Sequence, residues 1–444
     1  MISDMLLALG LLLSTASQLR LAGAKIGPGE ACLLIWLVLS LVQVAGRLGP
    51  PLSPVLTRLL AFWMVFALAM SIGTMTGFAT GDLHDPMWFQ HDAMAYVLAA
   101  VLSCLFAVEP GAWSRLRRVA WLLATLGASS FALQLACGWD LIVIGDVDPW
   151  SWDRFRGFSA NANQLALVSA VLGLLSLHLA ETANRLGGKI TALICAGVAI
   201  VVGRLTKSDS FLLVLVAAGP IFIVLKLRTW LQSPERRLTL RSAAAWILVL
   251  ALPLMLAGIV PLGSSISLQA EDLAKDMAKG TTRDTEETAR VRFLIWGEAV
   301  SRGVESGMLG LGPGPHLEIP SSILAGRRST KNDPKNMEHP KWSIAPNFEA
   351  HNTLLDLFTQ GGLLVVASFV WLMGATLLMT SRARLDGLTT LLCGLALFSI
   401  FHLIVRHPIV WFAIVFCMVA AAENLRAPAS RVSVPQTRRY AVYG

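Results

Sequence analysis

The chain has 444 residues, of which 55% are hydrophobic and only 14% charged, and its net charge is +8. A water-soluble protein carries roughly 25% charged residues, so this composition excludes an ordinary soluble enzyme. The positive balance does not point to nucleic acid, because much of the Lys and Arg lies in short connections between apolar runs, where it orients a membrane protein.

The apolar runs are about 18 to 25 residues long, enough to cross a hydrocarbon core of about 30 Å. They predict an all-α polytopic bundle of about twelve spans, at 5–24, 28–46, 58–78, 93–109, 118–138, 163–181, 189–205, 209–226, 243–263, 352–380, 386–404 and 407–424. The first run lacks the basic flank of a signal peptide and has no clear cleavage site, so it reads as a retained span. The chain divides into N-terminal membrane helices over 1–150, central helices over 151–263, a large hydrophilic loop over 264–351, C-terminal helices over 352–425 and a basic tail over 426–444. The tail is polar and Pro-bearing, and is expected to be disordered on anionic headgroups. The six cysteines (Cys32, Cys104, Cys137, Cys195, Cys393, Cys417) all fall in or beside apolar runs, with no CxxC pair and none in the large loop. A disulfide framework or a zinc site is therefore not expected.

With the N-terminus inside, 18 Lys and Arg lie in cytoplasmic connections and the tail, and 7 in the short connections on the other side. The positive-inside rule then places both termini in the cytoplasm and the large loop outside. Few ionisable residues fall inside the spans, which argues against an ion-coupled transporter.

Chemistry is expected at the large loop. Ala289–Ala299 reads as an amphipathic helix that puts Arg292 and Trp296 one turn apart on one face. Leu309-Gly310-Leu311-Gly312-Pro313-Gly314-Pro315-His316 follows, where Gly312 and Gly314 permit tight turns and close backbone approach to a ligand. The loop ends at Glu349-Ala350-His351-Asn352, where a helix begins at the membrane surface. His351 and Asn352 also fit a helix cap, and Arg292 also fits a headgroup-facing residue. Two clusters in other connections are weaker candidates. Asp82, His84, Asp85, His91 and Asp92 suit a divalent metal or a solvated loop, and Trp150 and Trp152, flanked by acids, suit sugar stacking or interfacial anchoring.

Taken together, Arg292-x-x-x-Trp296, the Gly310-x-Gly312-x-Gly314 run, and His351-Asn352 with Gly361-Gly362 ten residues on resemble the O-antigen ligase and polymerase family of bacterial polysaccharide assembly. Arg154-Phe155-Arg156-Gly157-Phe158-Ser159-Ala160-Asn161-Ala162-Asn163 is similar to the family's Arg-Gly-Asn-rich segment before a span. The resemblance covers about residues 150 to 420 in pattern. It implies a glycosyltransferase at the periplasmic face of a Gram-negative inner membrane. Such an enzyme takes a glycan from an undecaprenyl-diphosphate carrier and transfers it, with inversion and without metal or cofactor, to a glycan or lipid A-core acceptor. The product is O-antigen, capsule or exopolysaccharide, and the polymerase branch also implies a chain-length regulator as partner.

The resemblance assigns catalysis to His351 as base and Arg292 as diphosphate contact. Substrate binding is expected at Arg154, Arg156, Asn163, Arg204, Lys207, Trp296, Gly312, Gly314 and Asn352. Arginine suits the diphosphate because it binds such oxygens bidentately and keeps its proton. One departure stands out. The family's Thr-x-Ser-Arg run is here Thr206-Lys207-Ser208-Asp209, so an anion occupies the arginine position. Arg204, Lys207, Arg154 or Arg156 must then supply the second cation, and the polymerase branch is slightly favoured over the ligase branch. The rival reading is a lipid-linked oligosaccharide flippase without catalysis.

Overall fold

The computed structural model describes residues 2–20, 26–46, 53–82, 86–108, 111–231, 282–318 and 348–430. Within them the helices are α1 (Ile2–Leu13), α2 (Pro28–Ala45), α3 (Pro54–Thr80), α4 (Pro86–Ala107), α5 (Ala112–Gly138), α6 (Ala162–Thr182), α7 (Leu186–Leu205), α8 (Asp209–Leu231), α9 (Thr282–Glu305), α10 (Thr353–Arg382), α11 (Asp386–Ser399) and α12 (Pro408–Ser430). The two-residue strands β1 (Trp150–Ser151) and β2 (Arg154–Phe155) form a small antiparallel hairpin between α5 and α6.

Among the described residues, nine helices are long and apolar enough to cross a membrane: α2 to α8, α10 and α12. The protein is a polytopic helical membrane protein. Two predicted spans are shorter than expected. α1 stops at Leu13, where the Ser14 hydroxyl bonds back to the Leu11 carbonyl. The chain then spends Gln18 on the 148–159 connection, its amide donating to the carbonyls of Asp148, Gly157 and Ser159 at 3.1, 3.0 and 2.8 Å. α11 ends at Ser399 because residues 400–407 fold across the end of the bundle. The expected ninth span at 243–263 lies outside the described residues, as do 264–281 and 319–347 of the predicted loop and the tail from 431. The described start of that loop is the 24-residue helix α9.

α12 and α6 form the centre, each with 78% of its apolar window buried, whereas α2 and α8 at 22% are the outermost. Trp411 of α12 lies 4.5 Å from Trp63 and 5.5 Å from Phe62 of α3, and Phe416 stacks 5.8 Å from Trp113 of α5. In a bilayer, lipid tails are as apolar as these side chains, so such contacts hold the helices by close packing rather than by exclusion of water.

α10 breaks at Gly362, whose φ of 67° and ψ of −163° are not helical. The break turns the carbonyls of Thr359 and Gln360 toward the glycine-rich segment, where they accept from the Leu311 and Gly312 amides, each at 2.8 Å. The Leu363 amide donates back to the Met308 carbonyl at 3.0 Å, so backbone groups freed by the kink are satisfied by protein. A Cβ on Gly310 would lie 2.5 Å from the Gln360 oxygen, and one on Gly73 of α3 would lie 2.4 Å from it. Three backbones therefore meet where only glycine fits, and this anchors the chain on both sides of the 319–347 segment to the bundle.

The connections 139–161 and 206–208, the α3–α4 and α11–α12 connections, and the segment before α10 share one end of the bundle. They are joined there by Arg154 to Thr206, Ser210 to His402, Arg406 to Asp92 and Arg302 to Asp82.

Candidate active site

The site is built around a backbone that ordinary residues avoid. His351 has φ of 52°, a left-handed conformation that costs a non-glycine residue of order 1–3 kcal/mol and persists only where surrounding structure dictates it. Here the neighbouring groups do so. The Ala350 amide donates to Asp356 Oδ1 at 2.7 Å, and the Asn352 amide to Asp356 Oδ2 at 3.1 Å. Asn352 caps α10, its Oδ1 accepting from the Leu354 and Leu355 amides at 3.0 and 3.2 Å. Trp296 Nε1 donates to the Ala350 carbonyl at 3.1 Å, tying α9 to the same turn. Both residues expected to bind substrate beside His351 are thus engaged with protein: Asn352 as a cap, Trp296 as a brace.

With its backbone pinned, the His351 ring is held beside Phe348 and Glu349. It is 50% exposed, with Phe348 edge-on at 5.3 Å and Glu349 Oε2 at 3.9 Å from Nδ1. Burial by the surrounding protein pulls its pKa below the ordinary imidazole value; Glu349 pulls the other way, and Arg292 and Arg406 lower it further. The ring is therefore neutral at pH 7, the form that accepts a proton.

Arg292 reaches the same place from α9. Its guanidinium carbon lies 5.6 Å from the centroid of Phe401, and Trp296 sits 6.2 Å from that ring. The Arg292 charge is felt at His351, at His402 and at Arg154. His402 shares a 3.1 Å hydrogen bond between its Nε2 and the Ser210 hydroxyl. Burial first, then His351, Arg292, His407 and Arg154, push its pKa down to about 3, so it too is neutral.

Arg154 rises from the hairpin. It donates from Nε to the Thr206 carbonyl at 3.0 Å and from a terminal nitrogen to Asn163 Oδ1 at 2.8 Å. Burial lowers its pKa from a high reference value, with Asp209 and Asp153 opposing, so it stays charged at neutral pH. Asp209 is exposed at the start of α8 within electrostatic reach of that guanidinium. The anion at the unusual position thus faces a cation already in the site.

The other expected binders are placed differently. Arg156 is buried and bonds both the carbonyl and the carboxylate of Asp148, each at 2.9 Å, bracing the 148–156 turn. Lys207 pairs with Asp153 beside the hairpin. Arg204 is exposed on α7, without an ion-pair partner among the described residues. Gly312 makes its close approach to protein, since a Cβ there would lie 3.0 Å from Thr74 Cα, whereas one on Gly314 would meet the Phe89 amide at an ordinary contact distance of 3.7 Å. Both glycines are buried. Trp150 likewise turns inward, its Nε1 donating to the Gly138 carbonyl at 2.7 Å, while Trp152 is exposed at the hairpin turn. Of the suggested metal cluster, His84 and Asp85 lie outside the described residues, Asp82 pairs with Arg302, and Asp92 turns into the bundle toward Arg406.

Sequence reasoning missed Arg406, Glu349 and His402, and it offered Asp92 as a metal ligand or loop residue where the structure pairs it with Arg406. Arg406 lies between two carboxylates, Asp92 of α4 and Glu349. Burial works against its charge, but Glu349 and Asp92 more than offset that, and its pKa lies above the ordinary arginine value. The available signal was a lone arginine among the apolar residues and two histidines of Phe401–Val410, which a counter-charge had to meet.

Comparison with known proteins gives one family match. Residues 190–370 match the family model described as O-antigen ligase. Over that stretch the chain is similar to the O-antigen ligase family. That similarity points to glycosyl transfer, with a lipid-linked glycan as donor and a polysaccharide as acceptor in general terms. No curated protein matches the chain. The O-antigen ligase match runs from α7 into α10 and contains Asp209, Arg292 and His351. Arg154, His402 and Arg406 approach the same site from outside it.

Proposed function

We propose that the protein transfers an undecaprenyl-diphosphate-linked oligosaccharide onto an acceptor glycan, as polymerase or ligase of O-antigen, capsule or exopolysaccharide. The reading rests most on one observation: Arg292 of α9 and neutral His351 before α10 meet at the same end of the bundle, close enough for the arginine to depress the imidazole pKa. The acceptor hydroxyl attacks the donor's anomeric carbon and gives its proton to His351. The bond from that carbon to the diphosphate oxygen breaks, and the electron pair leaves with the diphosphate. Arg292, with Arg154 nearby, meets the charge that develops there, which is the contribution of a cation preorganised at a leaving group. Arginine supplies this charge without a metal, and direct displacement inverts the anomeric configuration.

Asp209, facing Arg154, would hold that guanidinium short of full engagement with a diphosphate and supports a polymerase more than a ligase. The opposite end of the bundle carries Arg115, Arg117, Arg118, Arg185, Lys189, Arg382 and Arg384, which supports a periplasmic site in an inner membrane with both termini cytoplasmic.

Reconstitution in liposomes with an undecaprenyl-diphosphate-linked repeat unit and an acceptor glycan tests this reading. Formation of a glycosidic bond of inverted configuration, undiminished by a chelator, is the expected result. Translocation of the lipid-linked donor with no new bond would replace the proposal with a flippase.

A further inference from the structure

Resting on the reading of His351 as base, we propose that Glu349 is the carboxylate that positions the His351 imidazole, and that Arg406, clamped to Asp92, fixes Glu349 in place. The observation is a chain of charged groups running from the interior to the site. Asp92 is fully buried, and its Oδ1 takes both Arg406 and His91. Arg406 reaches on to Glu349 Oε1. That leaves Glu349 Oε2 facing His351 Nδ1 at 3.9 Å. The three parts come from separate elements: α4, the α11–α12 connection and the segment before α10. A carboxylate with one oxygen locked by a guanidinium and the other turned to an imidazole can hold one tautomer. Nδ1 carries the proton toward Glu349, and Nε2 is left free to accept the proton of an acceptor hydroxyl. The 3.9 Å separation is longer than a hydrogen bond, and for this positioning role it must close to one as the imidazole takes up the acceptor proton.

The groups facing His351 are Glu349 on its own segment, Arg292 on α9, and Arg406 and His402 on the α11–α12 connection. Glu349 is the anion among them and favours the imidazolium; Arg292 and Arg406 disfavour it. Removing the Glu349 charge therefore lowers the pKa of His351 and weakens it as a base.

Glu349→Gln keeps the shape and removes the charge. Turnover is expected to fall about tenfold or more with KM little changed, the scale seen when a partner orienting a functional histidine is lost. The acid limb of the pH–rate profile is expected to move to lower pH. In a His351→Asn background the same substitution should change nothing further. A merely structural Glu349 would lower the yield of folded protein without moving the limb. Should Glu349→Gln fail to fold, Glu349→Asp keeps the charge for Arg406 but withdraws it from the imidazole by one methylene, and slowed turnover is again expected. A folded variant of either kind with wild-type turnover and pH profile, while His351→Asn is inactive, overturns the positioning role and leaves the base intact. Full activity in His351→Asn overturns the base assignment itself.

Discussion

His351→Asn is expected to fold normally and to lose glycan transfer by about 10²–10⁴-fold, the usual contribution of a positioned general base. Asparagine is the informative replacement because it tolerates the left-handed backbone that His351 adopts at φ 52°. The ring is half exposed, so its removal leaves no cavity, and the melting temperature in detergent should stay close to that of the parent. The Asp356, Asn352 and Trp296 contacts that fix the turn all run through backbone groups and are untouched. The measurement is initial rate against acceptor concentration for the reconstituted protein. The loss should appear in turnover more than in KM, because the imidazole acts on a proton that moves only as the bond forms. A rate within a few-fold of the parent would remove His351 from the chemistry.

Arg292→Lys is expected to lose about 10²–10³-fold in turnover, the scale associated with one charge-stabilising donor at a reacting centre. The conserved charge does not rescue it, because a point-like ammonium cannot reproduce the fork that grips two oxygens or lie over the Phe401 face as the guanidinium does. Arg292→Ala carries a second signature with a definite sign. The arginine charge lowers the pKa of His351, since a nearby cation makes the imidazolium more costly. Without it the pKa rises, and the acid limb of the pH–rate profile moves to higher pH while the plateau falls. This is opposite to the shift expected when the Glu349 charge is removed, so the two substitutions check the same electrostatic arrangement from both sides. An unmoved limb in a folded Arg292→Ala variant would place the guanidinium outside the electrostatic range of the base.

Much of this architecture can be read from the chain, for physical reasons. Long apolar runs have one use in a protein so poor in charge, and nine of them are membrane-length helices among the described residues. α1 and α11 were overread because periodicity and hydropathy do not show where tertiary hydrogen bonds end a helix. Gln18 and residues 400–407 do that through contacts distant in sequence. The glycine run signalled an unusual backbone correctly, but sequence alone cannot say whether a close approach is to a ligand or to another helix. Here Gly310 and Gly312 meet α10 and α3. Arg156 and Arg154 are two residues apart and chemically identical, yet one is consumed by Asp148 and the other donates to the Thr206 carbonyl and Asn163. That distinction belongs to the hairpin register, not to composition. The pairing of Arg406 with Glu349 and Asp92 is not legible in the sequence because they lie 57 and 314 residues from it along the chain, and single charges near apolar runs give no pattern until the helices are packed.

The most direct test is a cryo-electron microscopy structure of the protein in nanodiscs with an unreactive isoprenoid-diphosphate sugar analogue. The diphosphate is predicted to lie against the Arg292 guanidinium, with the anomeric carbon facing a cleft into which His351 Nε2 points. Density for the diphosphate at the opposite end of the bundle, or at the same end with His351 turned away from the sugar, would contradict the account.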